Sequence, residues 1–307
     1  MRAGRHRPAS ILIEAGLALC TPVAVVLAFL PARLGLWTGR RLGDLAWLAL
    51  PGRRAVTLDN LTRALGGERS TGEIGRLGRR CFEHLGMNLI EACVLLFRTP
   101  ATLLARVDVA GLEHLRAAAA EGKGILVLSA HYGNWELLAA SHALTEFPLS
   151  IVVRPLDDPL LDRVVKRLRA RTGVELIGKR RGLRDIVEAL RRGRMVGVLL
   201  DQNASRAEGV FVPFFGHPAS TSRSLAVISL RTGAPVLPIF IRRQADGRHR
   251  IEIGPALPAP AAGDVVGYTA SFNRAIEEAT RRAPEQWFWI HRRWKTQPAG
   301  ARPCASA

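Results

Sequence analysis

The stretch AHYGNWE, residues 130–136, sets an imidazole and a carboxylate five positions apart, at His131 and Glu136. A neutral imidazole can take a proton from an attacking hydroxyl. A carboxylate held against its other nitrogen fixes the tautomer and stabilises the imidazolium that forms. If the hydroxyl belongs to a substrate, no serine or cysteine of the protein need be acylated, and the pair suits direct acyl transfer. The spacing alone carries little, because a chain with eight histidines and 26 acidic residues holds one such pair by chance. Context carries more. The run GILVLSA before the pair is apolar and β-like, and NWELLAASHAL after it is helical in pattern. Gly133 allows a tight turn between them, and Asn134 suits an N-cap. Both residues also have structural readings, Glu136 as a first-turn carboxylate facing the helix dipole and His131 as a satisfied, partly buried histidine.

Other stretches could complete a site. VLLDQN puts Asp201, Gln202 and Asn203 directly after a strand-like run. A metal role for Asp201 lacks partner ligands nearby, which leaves a loop cap or a substrate contact. RPLDDPLLDRVVKRLRART carries Arg154, Lys166, Arg167, Arg169 and Arg171. These form either a solvated face or a docking strip for phosphate or a carrier protein. GVFVPFFGHPASTS brings Phe211, Phe214 and Phe215 together, as a buried loop core or as an apolar wall for a lipid chain. A hydrolase using Ser129 with His131 is a rival, but LSAHYG is not the GxSxG of a nucleophile elbow.

The elements that must position these groups alternate. Strand-like runs at 125–130, 149–154, 174–177, 195–200, 235–241 and 250–254 are separated by amphipathic helical stretches. That alternation predicts an α/β fold with a mostly parallel central sheet flanked by helices, and its sites belong at the carboxyl ends of strands. Residues 53–65 and 73–97 read as helices before it. At 307 residues and 48% hydrophobic, the chain can bury a large core. Its net charge of +18 points to an anionic partner, either an acidic protein or an acidic lipid surface. Aromatic residues are only 6% and are not interleaved with the basic runs, which argues against nucleic acid. Cys20, Cys81, Cys93 and Cys304 form no CxxC pair, as expected in a reducing compartment without a cysteine metal site. The basic start MRAGRHR precedes an apolar run, Ile11 to Leu30, near the length that spans a bilayer. It contains Glu14 and Pro22 and equally suits a helix lying in the interface. The organisation expected is an amino-terminal hydrophobic, membrane-associating segment over 1–50, a catalytic domain over 51–297 and a flexible tail over 298–307.

Taken in order, HYGNWE, RPLDDPLLD, GLRDIVEALRRG, DQN, GVFVPFFGHPAST, GAPVLPIFIRR and PEQWFWIHRRWK resemble the bacterial lipid A biosynthesis acyltransferases, lauroyl and myristoyl transferases of the lysophospholipid-acyltransferase superfamily. The resemblance covers nearly the whole chain. It implies a glycerolipid acyltransferase-like fold with His131 as general base and Glu136 as its partner. It also implies an acyl carrier protein or coenzyme A thioester as donor and a hydroxyl of an anionic glycolipid or phospholipid as acceptor. Lipopolysaccharide biosynthesis at the cytoplasmic face of the inner membrane would be its setting. Asn134, Arg154, Arg169 and Asp201 would be substrate-site residues, with no metal and no cofactor. His291 and its neighbouring tryptophans match the family's end block and are assigned structural roles.

Overall fold

The structure is a computed structural model and describes residues 20–153, 158–178, 182–260 and 263–298. Its centre is β2 (Ile125–Ser129), the strand that leads into the His131 turn, and every residue of it is buried. A strand buried along its whole length, and apolar up to Ser129 at its end, is what a sheet covered on both faces requires. Leu126 and Leu128 face one core, and Ile125 and Val127 face the other.

Seven strands lie in the order β1-β9-β8-β2-β5-β3-β4. Besides β2 these are β1 (Val107–Ala110), β3 (Leu149–Val153), β4 (Glu175–Gly178), β5 (Met195–Leu199), β8 (Val236–Arg243) and β9 (His249–Ile253). All neighbours pair in parallel except the β8/β9 hairpin, so β1 and β9 run against the other five. The expected mostly parallel α/β sheet is present. The six anticipated strand runs all form, with end shifts of one or two residues. The elements that went unread are the helix at Ala32–Ala49, the short helix at Ala101–Leu104, β1, the helix at Val265–Arg282, and a separate antiparallel hairpin, β6 (Gly209–Phe214) with β7 (His217–Ser222).

In chain order the helices are α1 (residues 20–28), α2 (Ala32–Ala49), α3 (Pro51–Leu65), α4 (Thr71–Phe97), α5 (Ala101–Leu104), α6 (Leu112–Ala120), α7 (Trp135–Ala140), α8 (Pro159–Arg171), α9 (Gly182–Arg191), α10 (Ser224–Thr232) and α11 (Val265–Arg282). The longest, α4, starts at a capping box in which Ser70 and Glu73 satisfy each other's backbone amides. It runs behind the His131 turn and carries α2 on its other side. Gly35, Gly39 and Gly43 of α2 are buried at every fourth residue. A Cβ at Gly39 would lie 2.6 Å from the Met87 Cα, and one at Gly86 would strike the Gly39 carbonyl. Only glycine lets the two backbones come this close. Among the described residues, no helix is long and apolar enough to cross a membrane. Residues 11–19 of the Ile11–Leu30 run, and residues 299–307 of the expected tail, lie outside the described residues.

Candidate active site

The β2/β5 register builds the site. Ser129 pairs with Leu199, so the residues two positions beyond each, His131 and Asp201, leave the sheet side by side. The Asp201 carboxylate is 1% exposed. Its Oδ1 accepts from His131 Nδ1 at 2.8 Å, and its Oδ2 accepts from the His131 amide at 2.9 Å and from Trp287 Nε1 at 2.8 Å. Burial alone would raise this carboxyl. The interaction with His131, through its charge and its hydrogen bonds, outweighs burial and brings it down to about 2. Asp201 is therefore an anion that can only accept, which puts the imidazole proton on Nδ1 and leaves the Nε2 lone pair open.

This corrects the expected pairing. The carboxylate against His131 is Asp201 and not Glu136. Glu136 lies in the first turn of α7 and turns toward α8, where Arg169 grips it through Nε at 3.0 Å and Nη2 at 2.7 Å. Asp201 is in turn too buried for the substrate contact expected of it. Asn134 also loses a substrate role, being 3% exposed. Its Oδ1 caps α7 by accepting from the Leu137 amide, as anticipated, and its Nδ2 donates to Glu91. Arg154 lies outside the described residues.

The rest of the turn is pinned by the carboxyl-terminal block. Tyr132 bridges Trp287 in antiparallel fashion, the Gly133 amide donates to the Gln286 carbonyl at 3.0 Å, and the Phe288 amide donates to the His131 carbonyl at 3.0 Å. Gly133 has φ +59°, and a Cβ there would collide with the Ile241 carbonyl, so the turn needs glycine. The amides of His131, Tyr132 and Gly133 all donate within the protein. Nε2 faces the Gln202 side-chain amide, which donates to it across a long 3.4 Å. Half-buried Trp135 and Phe288 flank the imidazole, their ring centroids 5.2 and 5.7 Å from it. Sequence reasoning left Gln202, Trp135, Trp287 and Phe288 without a place at the imidazole. The one signal available was that Asp201 and His131 each follow a buried strand at the same offset.

Other expectations resolve cleanly. Phe214 and Phe215 are buried against Trp287, Trp294 and Trp289 and are core, not a lipid wall, while Phe211 on β6 is half-buried. His291, half-buried among aromatic rings, donates to the Phe288 carbonyl, and its removal from water lowers it to about 4, which keeps it neutral. Ser129 is buried inside β2 and offers no exposed nucleophile. The basic strip on α8 is largely committed. Lys166 pairs with Asp162, Arg169 with Glu136, and Arg171 bonds to carbonyls at the end of α4. Among the described residues, no cluster of His, Cys, Asp or Glu could hold a metal ion.

The chain is similar to several known proteins along most of its length. The chain is 32% identical over 273 residues to a lipid A biosynthesis palmitoleoyltransferase of Escherichia coli K12, covering 88% of each chain. It is 31% identical to the lipid A biosynthesis lauroyltransferase of the same strain, covering 85% of each. A phosphatidylinositol mannoside acyltransferase of Mycobacterium tuberculosis is 28% identical over 72% of this chain and 67% of that protein. All three relatives are named for moving an acyl group. The family model described as bacterial lipid A biosynthesis acyltransferase matches residues 3–296, which takes in the glycine-packed α2, the His131 turn and the tryptophan block together, and the chain belongs to that family.

Proposed function

We propose that this acyltransferase moves a fatty acyl chain from an acyl carrier protein or coenzyme A thioester to a hydroxyl of a lipid A precursor, in lipopolysaccharide biosynthesis. The observation that carries the mechanism is the open Nε2 of an imidazole whose Nδ1–H is tied to buried Asp201. Nε2 takes the proton of the acceptor hydroxyl as its oxygen attacks the thioester carbonyl carbon. The tetrahedral oxyanion then collapses and expels the thiolate. The imidazolium gives its proton to that sulfur, and Asp201 stabilises the imidazolium in between. Because the turn's first three amides are already committed, the Gln202 amide is assigned to the developing oxyanion. Trp135 and Phe288 offer apolar contact to the incoming chain. The Glu136–Arg169 pair frames the acceptor side, where Arg169 Nη1 can face an anionic headgroup.

The test is to mix the purified protein with acyl carrier protein thioesters of varied length and a tetra-acylated, Kdo-bearing lipid A precursor, and to read product masses. One added acyl group is the expected result. A second reading, drawn from the phosphatidylinositol mannoside relative, moves the acceptor to another anionic glycolipid. It predicts that the thioester is consumed only when that glycolipid is supplied. No consumption with any thioester would sink both readings.

Action at the cytoplasmic face of the inner membrane follows from the same reading, with 1–50 as the membrane-associating segment and the domain over 51–297 facing the cytoplasm. Eight of the thirteen large apolar side chains exposed among the described residues fall within residues 23–50. On α2, Leu34, Trp37, Leu45 and Leu48 form one outward stripe, opposite the glycines that hold α4, and Arg33 and Arg40 stand exposed beside it. An apolar stripe with basic flanks suits an anionic leaflet. Changing these four to glutamate should weaken flotation with phosphatidylethanolamine–phosphatidylglycerol vesicles. Unchanged flotation would move the contact upstream of residue 20.

A further inference from the structure

Behind the catalytic turn, on the side away from solvent, lies a second set of charges. His84, Asn88 and Glu91 share one face of α4 at helical spacing. Arg243 and His249 are cross-strand partners at the loop end of the β8/β9 hairpin. Glu91, Arg243 and His249 are 6, 7 and 1% exposed. Arg243 Nη1 and Nη2 fork the two Glu91 oxygens, the Nη2 bond being 2.8 Å, and His249 Nε2 donates to Glu91 Oε1 at 2.9 Å. Burial alone would raise the Glu91 carboxyl, but the charges of Arg243 and His249, with their hydrogen bonds, overcome burial and hold it well below the usual carboxylate range.

Every branch of this set ends on the turn. Glu91 Oε2 accepts from Asn134 Nδ2 at 2.6 Å, the same side chain that caps α7. Arg243 Nη2 donates to Asn88 Oδ1 at 2.8 Å, and Asn88 Nδ2 donates to the Gly133 carbonyl at 2.8 Å. The Arg243 backbone exchanges two 2.9 Å bonds with the Gln286 side chain, whose own carbonyl receives the Gly133 amide. The set is not fully satisfied, since Arg243 Nε and His249 Nδ1 have no hydrogen-bond partner. A buried ion set with orphaned atoms is a poor way to gain stability, because well-packed apolar residues commonly match or exceed it. What it does provide is direction. Its three terminal bonds fix the Gly133 amide, the Gly133 carbonyl and the Asn134 side chain.

We propose that Glu91, with Arg243 and His249, is a buried positioning clamp that holds the Gly133–Asn134 backbone and thereby sets His131 and Glu136 at the distances that turnover requires. The inference rests on His131 as the general base only for its kinetic consequence. The clamp itself is a claim about the turn.

Three variants test it. Glu91→Gln keeps shape and removes the charge. Asn134→Ser keeps a capping oxygen and cuts the bond to Glu91. The triple change Glu91→Leu, Arg243→Met, His249→Leu replaces the clamp with apolar packing. Hydrogen exchange at the Gly133 and Leu137 amides, thermal denaturation and steady-state acyl transfer are read for each. Expected are faster exchange confined to residues 131–137, a kcat lower by about 10- to 100-fold with the donor KM within about twofold, and a triple variant that melts no lower than wild type yet stays slow. Wild-type kcat in the folded triple variant would overturn the clamp. So would unchanged exchange at Gly133 and Leu137 in either single variant. A single variant that fails to fold leaves the decision to the other two. If wild-type protein transfers no acyl group, the functional reading fails, and the exchange data alone decide the clamp.

Discussion

His131→Ala lowers kcat by about 10²- to 10⁴-fold, the range that a positioned general base contributes. The expectation follows from the orientation of the ring. Nδ1 is engaged by Asp201, Nε2 is open beside the Gln202 amide, and two aromatic rings flank the imidazole. Within this turn no other titratable side chain is free to take the proton. Asp201 is buried with every hydrogen-bonded oxygen spoken for, and Glu136 is locked to Arg169. Alanine also removes a donor from a buried carboxylate, at about 1–3 kcal/mol of stability, so a loss of activity could be confused with a loss of fold. His131→Asn separates the two. Its Nδ2 can stand where the imidazole Nδ1 stood and still donate to Asp201, but it has no basic nitrogen. Both variants should be equally slow in acyl transfer, while His131→Asn should melt closer to wild type. If either variant turns over at the wild-type rate, the base lies elsewhere.

Much of this arrangement was legible in the sequence, and the reasons are physical. The ILVLSA run followed by Gly133 and Asn134 has one reading, a buried strand, a tight turn and a capped helix, because each residue type fits only that conformation well. The turn, the cap and the position of His131 at a strand end came from local chemistry. What was not legible came from register. Nothing in the spacing of residues 131 and 201 says that β5 lies beside β2 with Leu199 opposite Ser129. The acid five residues away was therefore preferred over the acid seventy away. Helical geometry explains the error, because the cap at Asn134 starts α7 and turns its first-turn carboxylate away toward α8.

The same distinction accounts for the other misses. Tyr268, Phe272, Ile276 and Ala279 recur on one face of α11, and the pattern was present although it was not read. β1 is only four residues long and half-buried, too short for alternation to register. The hairpin β6–β7 reads in sequence as a loop core, and Pro213, Gly216 and Pro218 obscure its strands. Its pairing is antiparallel and isolated from the main sheet, where such residues are tolerated. On α4, His84, Asn88 and Glu91 look like ordinary polar positions in the sequence. Only the arrival of Arg243 from a hairpin 150 residues later turns them into a buried set.

Asp201→Asn should abolish most of the activity, and Glu136→Gln should not. The Asp201 carboxylate accepts from three donors, two of them from His131. An asparagine there has one accepting oxygen. If that oxygen keeps the Trp287 and His131 backbone donors, its amide group faces Nδ1 as a donor. The imidazole must then carry its proton on Nε2, the nitrogen that has to accept, and the base is lost without any large movement. The anion that would stabilise the imidazolium is lost as well. A fall in kcat of about 10²- to 10⁴-fold is expected, with the smaller value if the tautomers exchange freely. Glu136→Gln instead weakens a half-buried pair with Arg169 and leaves the His131–Asp201 bond intact. Its stability effect should stay within about 1 kcal/mol, and its kinetic effect should fall on the KM for the lipid acceptor more than on kcat. Steady-state kinetics of both variants, with donor and acceptor varied separately, decide between the two carboxylates. An inactive Glu136→Gln beside an Asp201→Asn of near wild-type activity would restore Glu136 as the partner of the base. It would also mean that the turn rearranges when substrate binds, because α7 would have to release Arg169 before its carboxylate could approach His131.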